Sequence, residues 1–310
     1  MVPVIQTVSP LPTGSHMRRL FLFLLLAVSS TSSAIVIRHD VDDSNYCVPA
    51  SEFPALADMP GEAHGVLIAP QWIVTAAHTI TGSVEEITLN GVRRKVERLI
   101  VHPGYKKLPD SLIAQAIESG NASKAMEFQA SNKDIALVKL VEPVEDVAPA
   151  VLYQGKDELG KLVMLMGKGA TGNGADGEDP HSPHRAGLRR AFNQITNADG
   201  PWLGYVFNRG PSALALEGMG GGGDSGGPVL IKINGQWQLA GLAAWKLVQG
   251  DAAAFRPGVY GQTSYNVRLS SYLEWMETVM SSEPKVKGNT PLGLQGANNS
   301  FKPKPLRGSA

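Results

Sequence analysis

Gly220-Gly221-Gly222-Gly223-Asp224-Ser225-Gly226-Gly227-Pro228 is the stretch on which the reading of this chain turns. Glycine adopts backbone conformations closed to other residues and lets a ligand come close to the main chain. A serine set among glycines carries an unscreened hydroxyl. The consecutive N–H groups of Gly223, Asp224 and Ser225 can converge on one anion, as stabilisation of an oxyanion requires. Taken alone, the same run also reads as a flexible linker with an incidental serine. A nucleophilic serine needs a base and an orienting acid, so the rest of the chain decides between the two readings.

Upstream, the 310-residue chain alternates short apolar runs with turns. Thirty-four glycines and 21 prolines favour many short strands over long helices. Strand patterns are expected at 65–70, 72–78, 86–89, 93–101, 135–140, 162–166, 187–196, 229–233 and 237–245. One of these runs, Trp72-Ile73-Val74-Thr75-Ala76-Ala77-His78, ends in a histidine. Another, Asp134-Ile135-Ala136-Leu137-Val138-Lys139-Leu140, begins with an acid. Standing alone, His78 fits a structural histidine and Asp134 a turn or cap residue. Residues 111–128 break the β rhythm and predict a helical insertion capped by Ser111. Leu269, Tyr272, Leu273, Met276 and Val279 predict one amphipathic C-terminal helix.

A 43% hydrophobic content is enough for a sizeable core, and the formal net charge of zero points to no nucleic-acid partner. A single cysteine, Cys47, excludes an intrachain disulfide. Residues 1–16 read as an upstream extension or tag remnant. Residues 17–34 read as a signal peptide: Arg18 and Arg19, an apolar run from Leu20 to Val28 too short to span a bilayer, then Ser32-Ser33-Ala34. Residues 281–310 read as a disordered tail. The loop 171–186 holds Asp176, Glu178, Asp179, His181 and His184, but Pro180 and Pro183 deny it a helical ligand spacing, so it reads as solvated, with no metal.

Thr75-Ala76-Ala77-His78, Asp134-Ile135-Ala136-Leu137 and Gly223-Asp224-Ser225-Gly226-Gly227-Pro228, in that order, resemble the trypsin/chymotrypsin-like serine protease family. The lack of disulfides brings the chain closest in character to bacterial members. The resemblance covers residues 35–280 and extends to Pro257-Gly258-Val259-Tyr260. It implies an all-β fold of two packed six-stranded antiparallel β-barrels, divided near 150–160, with a C-terminal α-helix. It implies an exported monomeric endopeptidase, secreted or periplasmic, that acts on protein or peptide substrates without a cofactor or a stable membrane span. His78 is then the general base, Asp134 its orienting acid and Ser225 the nucleophile, with the N–H groups of Gly223 and Ser225 as the oxyanion hole. The family's activation step implies that a new N-terminus at Ile35 would pair with Asp224, and cleavage after Ala34 would create it. Ile37-Arg38 stand where the family has two glycines.

The specificity pocket implied by the resemblance contains Met219, Ala244, Trp245, Lys246 and Gly258. Met219, where trypsin-like members carry an acid, argues against a preference for Arg or Lys. Lys246 either narrows the pocket and favours an acidic side chain or extends outward to solvent. Two other readings share these motifs: a silent binding protein on the same fold, and an esterase. Fluorophosphonate labelling of Ser225 separates the first from a protease, and paired peptide and ester substrates separate the second.

Overall fold

The computed structural model describes residues 35–282 apart from Pro183 and Ala186. The expected signal peptide, the upstream extension and the tail from 283 onward lie outside the described residues.

Six strands close into an antiparallel barrel: Leu56–Met59, Ala63–Ala69, Trp72–Thr75, Ala136–Leu140, Val92–Val101 and Glu86–Leu89, the last returning to the first. Ile87, Leu89, Leu67, Ile73 and Leu137 are all buried and share the main hydrophobic cluster. Each such side chain contributes about 1.5–3 kcal/mol by leaving water. The hairpin between Glu86–Leu89 and Val92–Val101 turns on Asn90-Gly91, both with positive φ (50° and 76°). Two such residues match the right-handed twist of the flanking strands and set the register, with Leu89 opposite Val92.

The second half uses the same device. Asn234-Gly235 (φ 49° and 85°) joins Pro228–Ile233 to Gln236–Lys246. These belong to a seven-stranded antiparallel sheet in the order Trp202–Val206, Thr263–Arg268, Gln236–Lys246, Pro228–Ile233, Leu162–Gly167, Leu188–Gln194 and Cys47–Val48. Its end strands are Trp202–Val206 and Cys47–Val48, and no strand pairing closes it among the described residues. A smaller sheet runs Gly177–Glu178, Thr171–Asn173, Ile35–Ile37, Gly218–Met219. Its centre, Ile35–Ile37, is wholly buried.

Two local expectations change. The insertion is a pair of helices, α1 (Asp110–Ser119) and α2 (Ser123–Ser131), because Gly120 takes the left-handed conformation (φ 69°) that ends a helix. α1 begins after Pro109, so Ser111 lies inside it and is not its cap. The C-terminal pattern is also divided. Leu269–Ser271 is a 3-10 turn, Tyr272 leaves helical geometry at φ −127°, and α3 runs Leu273–Ser281. Leu269, Tyr272 and Met276 are nevertheless all buried against the main core. No helix among the described residues is long and apolar enough to cross a membrane.

Candidate active site

Strand register brings His78 and Asp134 together. Trp72–Thr75 pairs with Ala136–Leu140 so that Thr75 faces Ala136. His78 follows on the turn Ala77–Thr79, and Asp134 sits just before the partner strand. Asp134, 3% exposed, accepts from His78 twice: the main-chain N–H donates to Oδ1 at 2.8 Å and ring Nδ1 to Oδ2 at 2.7 Å. This holds the proton on Nδ1 and leaves Nε2 as an acceptor. Burial disfavours the charged ring, but the charge and hydrogen bond of Asp134 outweigh it and raise the His78 pKa above 6.5. Tyr105 and Tyr272 pack nearby. Burial first, and then the Asp134 charge, lifts both phenols, Tyr105 to about 12, so they stay neutral.

Backbone contacts shape the Ser225 turn. Gly226 has φ 75°, and a Cβ there would overlap the His64 carbonyl oxygen and Thr75 Oγ1. The turn therefore lies directly against the strands that lead to His78, and only glycine fits. His64 is the clamp. Its main-chain N–H donates to the Ser225 carbonyl at 2.8 Å, and its ring Nδ1 donates to the Gly223 carbonyl at 2.8 Å. Burial, followed by the charge of Arg185, lowers the His64 pKa to about 4, so the ring is neutral near pH 7.

The neighbouring amides are spoken for. Gly222 N–H donates to Glu178, Asp224 N–H to the Gly221 carbonyl and Gly226 N–H to the Ala243 carbonyl. Gly223 and Ser225 N–H donate to no described residue. Planar trans peptides explain their direction: the Gly222 and Asp224 carbonyls bond to Ala170 N–H (2.5 Å) and Gly227 N–H (2.9 Å), so the N–H groups that follow them face the other way. Of the three amides expected to converge, Asp224 N–H is taken by the Gly221 carbonyl, and the other two have no described partner. No hydrogen bond joins Ser225 Oγ to the His78 ring among the described residues; such contacts commonly tighten only around a substrate.

Asp224 is 2% exposed and accepts from Gly169 N–H (2.7 Å) and Gly221 N–H (2.8 Å). Burial still pushes its carboxyl up to about 6. Ile35–Ile37 pairs with Thr171–Asn173, two residues after Gly169, and with Gly218–Met219, shortly before Asp224. Both neighbours of that strand are therefore close in sequence to residues that hold Asp224.

A cavity of about 80 Å³ opens beside Ser225, walled by Gly220, Gly221, Gly222, Ala243, Ala244, Trp245, Lys246 and Ser264. Ala244, Trp245 and Lys246 border this cavity. Met219 and Gly258 do not. Met219 is fully buried, pairs with Val36 and packs in the second core cluster. Gly258 lies in the loop before Thr263–Arg268, where a Cβ would meet Val36 at 3.0 Å and Glu178 at 3.1 Å. The residue facing Lys246 across the strands is Ser264. Pro257–Tyr260 therefore lies just before the strand that borders this cavity. Tyr260 instead packs on Phe207 with ring centroids 4.7 Å apart.

Lys246 does not extend to solvent. Its Nζ lies 2.8 Å from Glu178 Oε1, the two side chains 17% and 12% exposed. Trp245 stacks on Tyr265 at 4.3 Å and meets Trp202 edge-on at 5.5 Å. These aromatics line a larger cavity of about 570 Å³ that reaches Met126 and Ala130 on α2. Of the polar residues in 171–186, His184 pairs with Glu62 at 2.7 Å and Asp179 accepts from His181 N–H, while Asp176, Glu178, Asp179 and His184 together border a cavity of about 380 Å³. Sequence reasoning missed His64, Gly169, Ser264 and the Glu178–Lys246 pair, since each acts through a partner far away in the chain. A family model described as Trypsin matches residues 47–275.

Proposed function

The chain belongs to the trypsin family and is a serine endopeptidase, and on that premise we propose that His78, Asp134 and Ser225 are its catalytic residues. The supporting observation is the pair of unengaged N–H groups at Gly223 and Ser225, flanked by amides that all have partners.

His78 Nε2 takes the Ser225 proton as Oγ attacks the peptide carbonyl carbon. The C=O double bond opens, and the negative oxygen accepts from Gly223 and Ser225 N–H, each donor worth about 10²–10³ in turnover. Imidazolium His78, stabilised by Asp134, protonates the leaving amine as the C–N bond breaks and an ester forms on Ser225. Water then attacks that ester with His78 as base, and the acid product leaves with Ser225 regenerated.

The signal-like segment before Ile35 supports export, to the periplasm or beyond. Activation at Ile35 fits the same picture: a free amine there would supply the cation that Asp224, buried beside two amide donors, does not find among its hydrogen-bond partners. Ser225→Ala is the direct test. Turnover should fall by about 10⁴-fold or more with the thermal transition unchanged. Retention of peptidase activity, or failure of a fluorophosphonate to label Ser225 in the folded wild type, would refute the assignment.

A further inference from the structure

We propose that the cavity beside Ser225 selects peptides with Asp or Glu on the acyl side of the cleaved bond, and that Glu178 is an internal stand-in for that carboxylate. The inference rests on Ser225 being the nucleophile, because the side chain entering this cavity then belongs to the residue whose carbonyl is attacked.

Among the described residues, Lys246 is the only charged one in the cavity wall. Its ammonium is held 2.8 Å from Glu178 Oε1, and Glu178 Oε2 accepts from Gly222 N–H at 2.9 Å. One carboxylate is thus gripped at the rim by a donor from each wall. Both side chains are mostly buried, so neither charge can be abandoned cheaply. An incoming side chain has two options. It can leave the pair in place and fit the remaining 80 Å³, or it can replace Glu178 on Lys246. Only a carboxylate replaces it without stranding the ammonium. An Arg or Lys side chain would bring a second cation beside Lys246 and meet no acid in the cavity wall.

The displaced carboxylate has a destination. Gly222 is shared with an adjoining cavity of about 380 Å³, lined by Glu178 and by Arg256, Asp176, Asp179 and His184. The Arg256 guanidinium donates to the Asp176 carbonyl and forms no ion pair among the described residues. Glu178 can therefore turn from Lys246 toward a second cation as the substrate carboxylate enters. The result is an exchange of partners on Lys246, with little net burial of uncompensated charge.

The test is a cleavage profile of the full-length protein on a peptide library, with fluorophosphonate titration of Ser225 counting competent sites in every sample. Peptides with Glu or Asp at the acyl position should exceed their Gln and Asn counterparts by about 10²-fold in kcat/KM. Glu178→Gln removes the internal competitor and should lower KM for acidic peptides about tenfold while kcat holds. Lys246→Gln should bring the acidic and amide peptides to near parity. Labelled wild-type protein that prefers Ala, an apolar residue or Arg overturns the inference and leaves the endopeptidase assignment standing. Absence of both labelling and cleavage removes the Ser225 assignment and the inference with it. The wild-type profile needs no variant, so poor folding of either substitution cannot obscure the result.

Discussion

Asp134 and Asp224 are both buried carboxylates at the candidate site, yet their surroundings differ in kind. Asp134 stands at the end of a barrel strand and takes two hydrogen bonds from one residue, one of them from a ring that can carry a positive charge. Asp224 sits within a glycine loop and takes its two from neutral amides of separate segments, with its carboxyl pushed up to about 6. The contrast shows how one residue type serves two ends. A strand-borne acid with a titratable partner fixes a proton's position. A loop-borne acid with only amide partners keeps a charge that no neighbouring cation bonds, the feature on which the proposed pairing with an Ile35 amine rests.

The sharpest way to break the comparison is Asp134→Asn. Asn offers one oxygen where His78 presents two donors, so either the main-chain or the ring bond is lost and the wrong tautomer follows. kcat should fall by about 10⁴-fold, and the rise of activity with pH should move down, because the Asp134 charge and hydrogen bond that raise the His78 pKa are lost. A pH–rate profile that keeps its midpoint would show that Asp134 does not govern the ring.

Gly226→Ala attacks the loop side. Its Cβ would strike His64 and Thr75 at a φ of 75°, so about 10³-fold of activity should vanish together with several kcal/mol of stability. Full activity in a stable variant would mean the turn adapts freely.

His64→Ala leaves the main-chain bond to Ser225 but removes the donor to the Gly223 carbonyl. A fall in kcat of about 10–10²-fold, with KM little changed, is expected from a loosened oxyanion loop. A change in KM alone would place His64 outside catalysis.

The smallest effect concerns Asp224 directly. A carboxyl whose pKa rises from 3.8 to about 6 on folding binds its proton more tightly in the folded state. Stability therefore falls as pH rises from about 4 to 6 and stays lower above, by roughly 2–3 kcal/mol. A chain that begins at Ile35 would bring an ammonium to that charge. It should be more stable than one beginning at Ala34 by about 1–2 kcal/mol at pH 7.5, the difference fading below pH 5. Equal thermal unfolding of the two forms across that range would separate Asp224 from the N-terminus.

The barrels and the proposed catalytic residues were legible because local signals carry them. Apolar runs of strand length mark Trp72–Thr75 and Ala136–Leu140, and the short motifs around His78, Asp134 and Ser225 are contiguous in the chain. The Asn90-Gly91 and Asn234-Gly235 pairs would have fixed two hairpin registers as well. The cavity wall was less legible because it is assembled from distant segments. Ser264 faces Lys246 only through strand pairing, and Glu178 reaches it from the short strand Gly177–Glu178, some seventy positions earlier. Pro257–Tyr260 lies inside the stretch that the family model matches, but a four-residue likeness does not say which strand borders the cavity, and the strand paired with Lys246 begins just after it, at Thr263.

The Trp202–Trp245–Tyr265 stack also makes the molecule its own reporter. Trp245 borders both the small cavity beside Ser225 and the wide one under α2, with a second indole 5.5 Å away. A ligand entering either space changes the polarity around that ring and its coupling to Trp202. Intrinsic fluorescence can therefore follow occupancy in real time on the unlabelled chain, before any bond is cut.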